Sequence, residues 1–143
     1  MNQRLLRNNY LIINLIFTGI LISVILYALV FSAGGMKHPI PSGWELLTGE
    51  SSPSSGLSRS FSEIVRFHFE EARQFNPYGI RIFSFFAVQL LLRLFLCIML
   101  IRPVQMRWQA VMIADVLFSI VIFAVSFWPF FHLLARQLGV LLR

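Results

Sequence analysis

Three long apolar runs constrain this chain more than any other feature of its sequence. Residues 10–33 carry no charge, and residues 78–101 and 108–134 form runs of similar length with few charges. At about 1.5 Å per residue, a helix of this length crosses the roughly 30 Å hydrocarbon core of a bilayer. The runs therefore predict three transmembrane helices over these ranges. Pro129, near the far end of the third run, is expected to kink or end that helix.

The composition agrees with a membrane-embedded chain. Of the 143 residues, 57% are hydrophobic and 13% are charged, whereas a soluble domain is about one-quarter charged. The net charge of +6 comes mostly from arginines beside or inside the apolar runs. The expected partners are therefore the lipid bilayer and buried carboxylates, not nucleic acid. With the single cysteine Cys97 and three scattered histidines, we expect no disulfide within the chain, no metal site and no cofactor.

Segment 34–76, between the first two runs, is the one long polar stretch. Its turn-rich first part is expected to be irregular. Ser60 and Glu63 then have the spacing of a capping box, and Asn76-Pro77 should end the helix that follows. Apolar residues recur along that helix at Phe61, Ile64, Val65, Phe69 and Ala72. Because it is too short and too charged to span a bilayer, we expect it to lie in the membrane interface or to pack on the membrane helices.

These patterns together predict an all-α membrane protein. We expect one polytopic domain over residues 1–143, with three transmembrane helices. One amphipathic interfacial helix is expected in the loop between the first and second of them.

The polar segment also contains a recognisable series of short motifs. Thr48-Gly49 is followed by Ser52-Pro53-Ser54-Ser55-Gly56-Leu57-Ser58-Arg59, and Asn76-Pro77 follows the short helix. In order and spacing, residues 41–78 resemble the bacterial membrane family called domain of unknown function 2752. That family has a Cys-Pro step, then Thr-Gly, then Cys-Pro-x-Cys-Gly-x-Thr-Arg, then Asn-Pro. The resemblance implies membrane residence and this helix layout, and it implies no activity. The motif-loop residues it marks are Thr48, Gly49, Pro53, Ser55, Gly56, Ser58, Arg59, Asn76 and Pro77.

This chain departs from the family's pattern at several positions. Ser42, Ser52 and Ser55 stand where the family has cysteines, so a disulfide, metal or redox role resting on those thiols cannot operate here. Phe67 stands where a glycine is expected late in the short helix.

Elementary physics assigns local roles to part of the loop. Gly56 suits a turn with positive φ, and Ser58 and Ser60 are both candidate N-caps. Arg59 falls in the first helical turn, where a cation is unfavourable against the helix dipole. Its acceptor could be a lipid phosphate or loop carbonyls; otherwise its side chain points to water.

Two charges lie deep in the second and third apolar runs. Arg93 lies nine residues before Arg102, and Asp115 lies eight after Arg107. Because the short turn joins antiparallel helices, both charges fall at matching depth, and we predict an Arg93–Asp115 ion pair that Gln89 could join. The pair could pin the register of the helices or belong to a proton or ion path; alternatively, Arg93 reaches the headgroups alone.

Small residues also recur four apart, at Gly19 and Ser23 and at Ala110 and Ala114, as in closely packed membrane helices. The sequence therefore favours a non-enzymatic accessory or assembly subunit of a membrane complex, which associates with other membrane-protein subunits or with itself. The alternative is a membrane enzyme or small-solute carrier that uses the Ser-Gly-Leu-Ser-Arg loop and the intramembrane pair. We expect the bacterial cytoplasmic membrane, with the N-terminus inside.

Overall fold

The described chain is helical throughout its regular elements. A computed structural model describes residues 3–30, 54–102 and 106–141, and within these ranges every regular element is a helix. In chain order, α1 is Gln3–Val30, α2 is Leu57–Ile64, α3 is Phe69–Phe75, α4 is Gly79–Ile101 and α5 is Trp108–Leu141. The predicted all-α class is confirmed for this part of the chain.

Three helices are long and apolar enough to cross a membrane: α1, α4 and the part Trp108–His132 of α5. Their positions agree with the three apolar runs, but two ends differ. The helix α1 already begins at Gln3, because helical hydrogen bonding continues from the apolar run into its polar flank. The helix α5 runs through Pro129 to Leu141, so Pro129 does not end it. Proline is tolerated in membrane helices because other groups can satisfy the backbone carbonyl that it leaves unbonded.

Close contacts group the chain into two compact units. Unit 1 comprises Met1–Val24 and Phe85–Val125, and unit 2 comprises Ile25–Ser84 and Ser126–Arg143. Each of α1, α4 and α5 therefore contributes one segment to unit 1 and another to unit 2. The division follows position along the helices and does not assign whole helices to one unit.

The apolar core of unit 1 is built from all three long helices. Tyr10, Leu96, Leu100 and Trp108 are buried against one another. Much of the outer surface of the unit is also apolar, and Leu91 on α4 is 67% exposed. A water-soluble protein rarely exposes large contiguous apolar surface, whereas a lipid-facing surface consists of it.

In unit 2 the prediction of a single helix after Ser60 is wrong, because two short helices, α2 and α3, occupy this segment. The chain leaves α2 through Phe67, which has φ 65°. The backbone N–H of Phe67 donates to Ile64 O at 2.9 Å, and the N–H of His68 donates to Glu63 O at 3.0 Å. These are the two bonds of a Schellman helix end, which closes α2 and redirects the chain into α3.

The predicted caps of this helix also differ. The helix α2 begins at Leu57 with Gly56 in the N-cap position, so Ser58 and Ser60 lie inside the helix and neither caps it. The predicted capping box between Ser60 and Glu63 does not form. The Glu63 carboxylate lies 2.8 Å from the His68 ring instead.

Part of the apolar face expected for this segment packs inside unit 2, whereas Phe69, another member of that face, is 44% exposed. Phe61, Ile64 and Ala72 are buried, and the Phe61 ring meets the edge of Phe83 at 5.2 Å between centroids. An interfacial position of α2 and α3 stays a prediction.

Candidate functional site

A cluster of six polar side chains lies among the apolar side chains of unit 1. Each of the three long helices contributes two of them, spaced four residues apart, so that both face the same side of their helix. We call this the polar cluster; its members are Tyr10, Asn14, Gln89, Arg93, Asp115 and Ser119.

The centre of the polar cluster is an ion pair between α4 and α5. Arg93 Nη1 lies 2.6 Å from Asp115 Oδ2, and the two residues are 8% and 7% exposed. A single charge in this environment would be strongly unfavourable, and a buried pair of opposite sign is the usual arrangement.

The remaining members of the polar cluster form hydrogen bonds to this ion pair. Arg93 Nη1 also donates to Asn14 Oδ1 at 2.9 Å, while Nη2 donates to Ser119 Oγ at 3.0 Å and to Gln89 Oε1 at 3.3 Å. The Tyr10 hydroxyl donates to Asp115 Oδ2 at 2.6 Å. The Phe17 ring covers the guanidinium at 5.7 Å from its centroid, which adds a cation–π contact.

One donor of the polar cluster stands apart. Gln89 Nε2 is buried and has no hydrogen-bond partner among the described residues, although Gln89 Oε1 accepts from Arg93. Such buried unpaired groups are uncommon and require an explanation.

Sequence reasoning found Arg93, Asp115 and Gln89 but missed Tyr10, Asn14 and Ser119 as members of the polar cluster. A signal for them was present, because each apolar run contains polar residues at positions i and i+4. The prediction started from charged residues, and only the second and third runs contain them.

In unit 2, the motif-loop residues that the structure describes join the start of α2 to the start of α4. Thr48, Gly49 and Pro53 lie outside the described residues. Asn76 Nδ2 donates to Ser55 O at 2.9 Å, and Asn76 Oδ1 accepts from Tyr78 N at 2.9 Å. Asn76 therefore connects the loop before α2 with the turn that contains Pro77 and leads into α4. We call residues 54–60 and 75–79 the motif segment.

Two glycines allow close packing in the motif segment, Gly56 against a backbone and Gly79 against a side chain. Gly56 has φ 75°, and a Cβ there would overlap the Phe75 carbonyl oxygen. A Cβ on Gly79 would overlap Ser60 Oγ. Ser60 is fully buried, and its hydroxyl has no partner in the described ranges. Both glycines are thus required for steric reasons.

The other described motif residues, Ser58 and Arg59, make weaker contributions. Ser58 O accepts from the Ser62 hydroxyl at 3.1 Å. Arg59 is exposed, as expected for a cation that points away from the protein.

Arg66 is a further positioning residue in unit 2, and sequence reasoning did not find it. Its guanidinium donates to Leu29 O at 3.0 Å and also to Ser62 O. Leu29 is the penultimate residue of α1, where carbonyls lack helical partners and a cation is favoured by the helix dipole. Arg66 therefore fastens α2 to the C-terminal end of α1.

Comparisons of the chain with protein-family models, curated proteins and solved structures find no match. The resemblance of residues 41–78 to a family consequently stays a prediction. Conclusions about function rest on the geometry of the polar cluster, the motif segment and the outer helix faces.

Proposed function

We propose that this protein is a non-enzymatic accessory or assembly subunit of a membrane complex, which associates laterally with other membrane-protein subunits or with itself. The observation that carries the proposal is where the small residues lie. Gly19 and Ser23 on α1 are exposed, and no atom of the described chain lies within 4 Å of a Cβ placed on Gly19. Ala110 and Ala114 on α5 are exposed as well. Small residues let membrane helices approach closely, and here they are left available for helices outside this chain.

The polar cluster supports the same proposal. Arg93 makes hydrogen bonds to four side chains, and its charge is balanced by Asp115. Hydrogen bonds around a neutral ion pair should fix the register of three helices, because sliding any helix would break bonds that lipid cannot replace. A rigid three-helix unit with small-residue outer faces suits a structural subunit.

The alternative, a membrane enzyme or small-solute carrier, has one observation in its favour. Gln89 Nε2, next to Arg93, has no partner within the described part of the chain and is a donor that an acceptor entering the polar cluster could bind. Against it, Ser55, Gly56 and Asn76 are engaged in contacts that hold the motif segment together.

We further propose residence in the bacterial cytoplasmic membrane with the N-terminus inside. Arg4 and Arg7 lie in the first two turns of α1, and Arg102 and Arg107 flank the short turn after α4, so four arginines fall on one side. The short turn is also denser in positive charge than the long segment after α1. Labelling of single cysteines placed at Ser51 and Gln105 in intact cells tests this topology. Labelling from outside at Ser51 alone is the expected result, and labelling from outside at Gln105 alone would reverse it.

Membership in the family named above is also a proposal. The glycine that the family pattern expects late in the short helix falls on Phe67, which has φ 65°. Glycine adopts this backbone conformation most readily, so the correspondence supports the proposed alignment of the motifs.

Purification of the full chain from its native membrane in mild detergent tests the subunit role. We expect a partner, or a second copy, at fixed stoichiometry. Gly19→Leu combined with Ala114→Leu should abolish that association, because bulky side chains block close approach. Leu91→Phe, at an exposed position that already carries a large side chain, is the matched control and should retain it.

Reconstituted protein tests the alternative function. Solute flux or turnover by the purified chain alone, abolished by Gln89→Leu, would replace the subunit proposal. Association that persists in the Gly19→Leu, Ala114→Leu variant would also count against it.

A further inference from the structure

Two exposed phenylalanines lie at the break between α2 and α3. Phe67 is 79% exposed and Phe69 is 44% exposed, and their rings meet edge to face at 6.3 Å between centroids. We call them the aromatic pair. They differ from the apolar residues of α2 that face inward, since Phe61 and Ile64 are buried in unit 2. The exposed aromatic surface of this segment therefore lies at the break, and Phe69 is the member of the predicted apolar face that contributes to it.

Phe67 is unfavourable at this position by two criteria. It is the one non-glycine residue among those described with a positive φ, a conformation that costs an ordinary side chain about 1–2 kcal/mol. In water, its exposed ring would add an apolar hydration penalty. Glycine or asparagine would close α2 without either penalty. A strained residue that also exposes an aromatic ring indicates a contact outside the chain.

The surroundings of the aromatic pair indicate what that contact is. Arg66, which precedes Phe67, donates to Leu29 O at the end of α1. On the other side, α3 leads through Asn76, which accepts from Gly79 N at 3.0 Å, into the first turn of α4. The break is thus tied to the ends of two helices that are long enough to cross a membrane. The ends of such helices lie at the level of the lipid headgroups.

We propose that the aromatic pair inserts into the bilayer at the boundary between headgroups and acyl chains and anchors α2 and α3 to the membrane surface. Aromatic rings are enriched at this depth, and a surface-lying segment is held there by its buried apolar area. Lipid removes the hydration penalty of the Phe67 ring, which offsets the strain of its backbone. This inference deepens the proposed function, since it rests on membrane residence, but it does not depend on the existence of a partner subunit.

Spin labels on the full chain in phosphatidylcholine liposomes test the depth of the aromatic pair. The background variant is Cys97→Ser, because Cys97 is the sole cysteine. Labels are then attached at Phe67→Cys, at Glu71→Cys on the exposed surface of α3, and at Leu91→Cys on the exposed surface of α4. We expect the Phe67 label to collide with oxygen several-fold more than with a water-soluble nickel complex, as the Leu91 label does. The Glu71 label should show the reverse.

Two outcomes of this measurement would overturn the inference. Nickel accessibility at Phe67 equal to that at Glu71 would place the aromatic pair in water. Low accessibility to both reagents would place it under protein, in a partner or a second copy. The Leu91 label separates the two proposals: if it too is accessible to nickel, membrane residence itself fails, and otherwise only the anchoring fails.

A second measurement uses variants with natural side chains at position 67, without a spin label. Hydrogen exchange of the α2 and α3 amides in liposomes is compared for Phe67→Asn and Phe67→Leu. Asparagine tolerates positive φ, so a purely structural role predicts slower exchange in Phe67→Asn. Anchoring predicts the opposite, with several-fold faster exchange for Phe67→Asn and nearly unchanged exchange for Phe67→Leu. Equal or slower exchange in Phe67→Asn would contradict the proposal.

Discussion

The polar cluster and the motif segment are both held together by polar groups, but the physics differs. In the polar cluster, side chains from three helices form hydrogen bonds to one buried ion pair, Arg93–Asp115. In the motif segment, Gly56 lets the Phe75 backbone approach and Gly79 lets the Ser60 side chain approach, and Asn76 joins the two stretches of chain. Substitutions that remove a charge should therefore destabilise the polar cluster most. Substitutions that add volume should destabilise the motif segment most.

The largest expected effect is removal of one charge from the polar cluster. Arg93→Leu or Asp115→Leu leaves an uncompensated buried charge and should lower the free energy of unfolding by about 3–5 kcal/mol. The double variant should lose much less than the sum, because no charge remains. Unfolding of the purified protein in detergent measures all three variants. Additive losses would show that the two charges act independently.

An exposed ion pair in unit 2 provides the control for this experiment. Arg73 Nη1 lies 3.1 Å from Glu70 Oε1, and both side chains are largely exposed. Glu70→Ala should change the free energy of unfolding by about 0–1 kcal/mol. A loss comparable to that of Asp115→Leu would remove the contrast between buried and exposed pairs.

Gly56→Ala should have the next largest effect. The added Cβ would overlap the Phe75 carbonyl, and φ 75° is strained for alanine, so we expect a loss of about 2–4 kcal/mol. Gly19→Ala is the matched control, since the space around Gly19 is open in the described chain. There, alanine should stabilise the helix by about 0.5–1 kcal/mol. Equal effects at the two glycines would contradict the steric role of Gly56.

Gly79→Ala should lower the free energy of unfolding by about 1–3 kcal/mol, because its Cβ would overlap Ser60 Oγ. Ser60→Gly removes the obstructing side chain, so the Gly79→Ala, Ser60→Gly variant should recover part of the loss relative to Ser60→Gly alone. A double-variant cycle by thermal unfolding measures this coupling. Zero coupling would show that Gly79 is needed for a different reason.

The smallest effect concerns the unpaired Ser60 hydroxyl. Ser60→Ala removes a buried hydroxyl without a partner in the described ranges, so stability should stay unchanged or rise by up to about 1 kcal/mol. Ser62→Ala loses a bond to Ser58 O and should destabilise by about 0.5–1.5 kcal/mol. If Ser60→Ala were the more damaging of the two, the Ser60 hydroxyl would have to make a bond in the membrane-bound protein.

Part of the polar cluster could be anticipated from the sequence and part could not. The depths of Arg93 and Asp115 follow from counting residues from the short turn, and the structure places their charged atoms 2.6 Å apart. No such count relates Tyr10 to Asp115, since 105 residues separate them along the chain. Their contact depends on the rotation of α1 about its axis.

The segment after Gly56 shows a different limit of sequence reasoning. Its apolar period predicts one helix; four of the five residues of that period lie in α2 or α3, and Phe61, Ile64 and Ala72 are buried. The break at Phe67 was missed because phenylalanine carries no signal for positive φ. The helix caps were misplaced because Ser60 is buried against Gly79, a contact between residues distant in sequence.

The sequence by itself determined the helical class and the three helices able to cross a membrane, because apolar length is a local property that a bilayer selects directly. The tertiary structure decided which polar groups meet, which glycines are indispensable and where the short helices divide. These depend on distances between residues far apart in the chain, which are fixed only when the helices have packed.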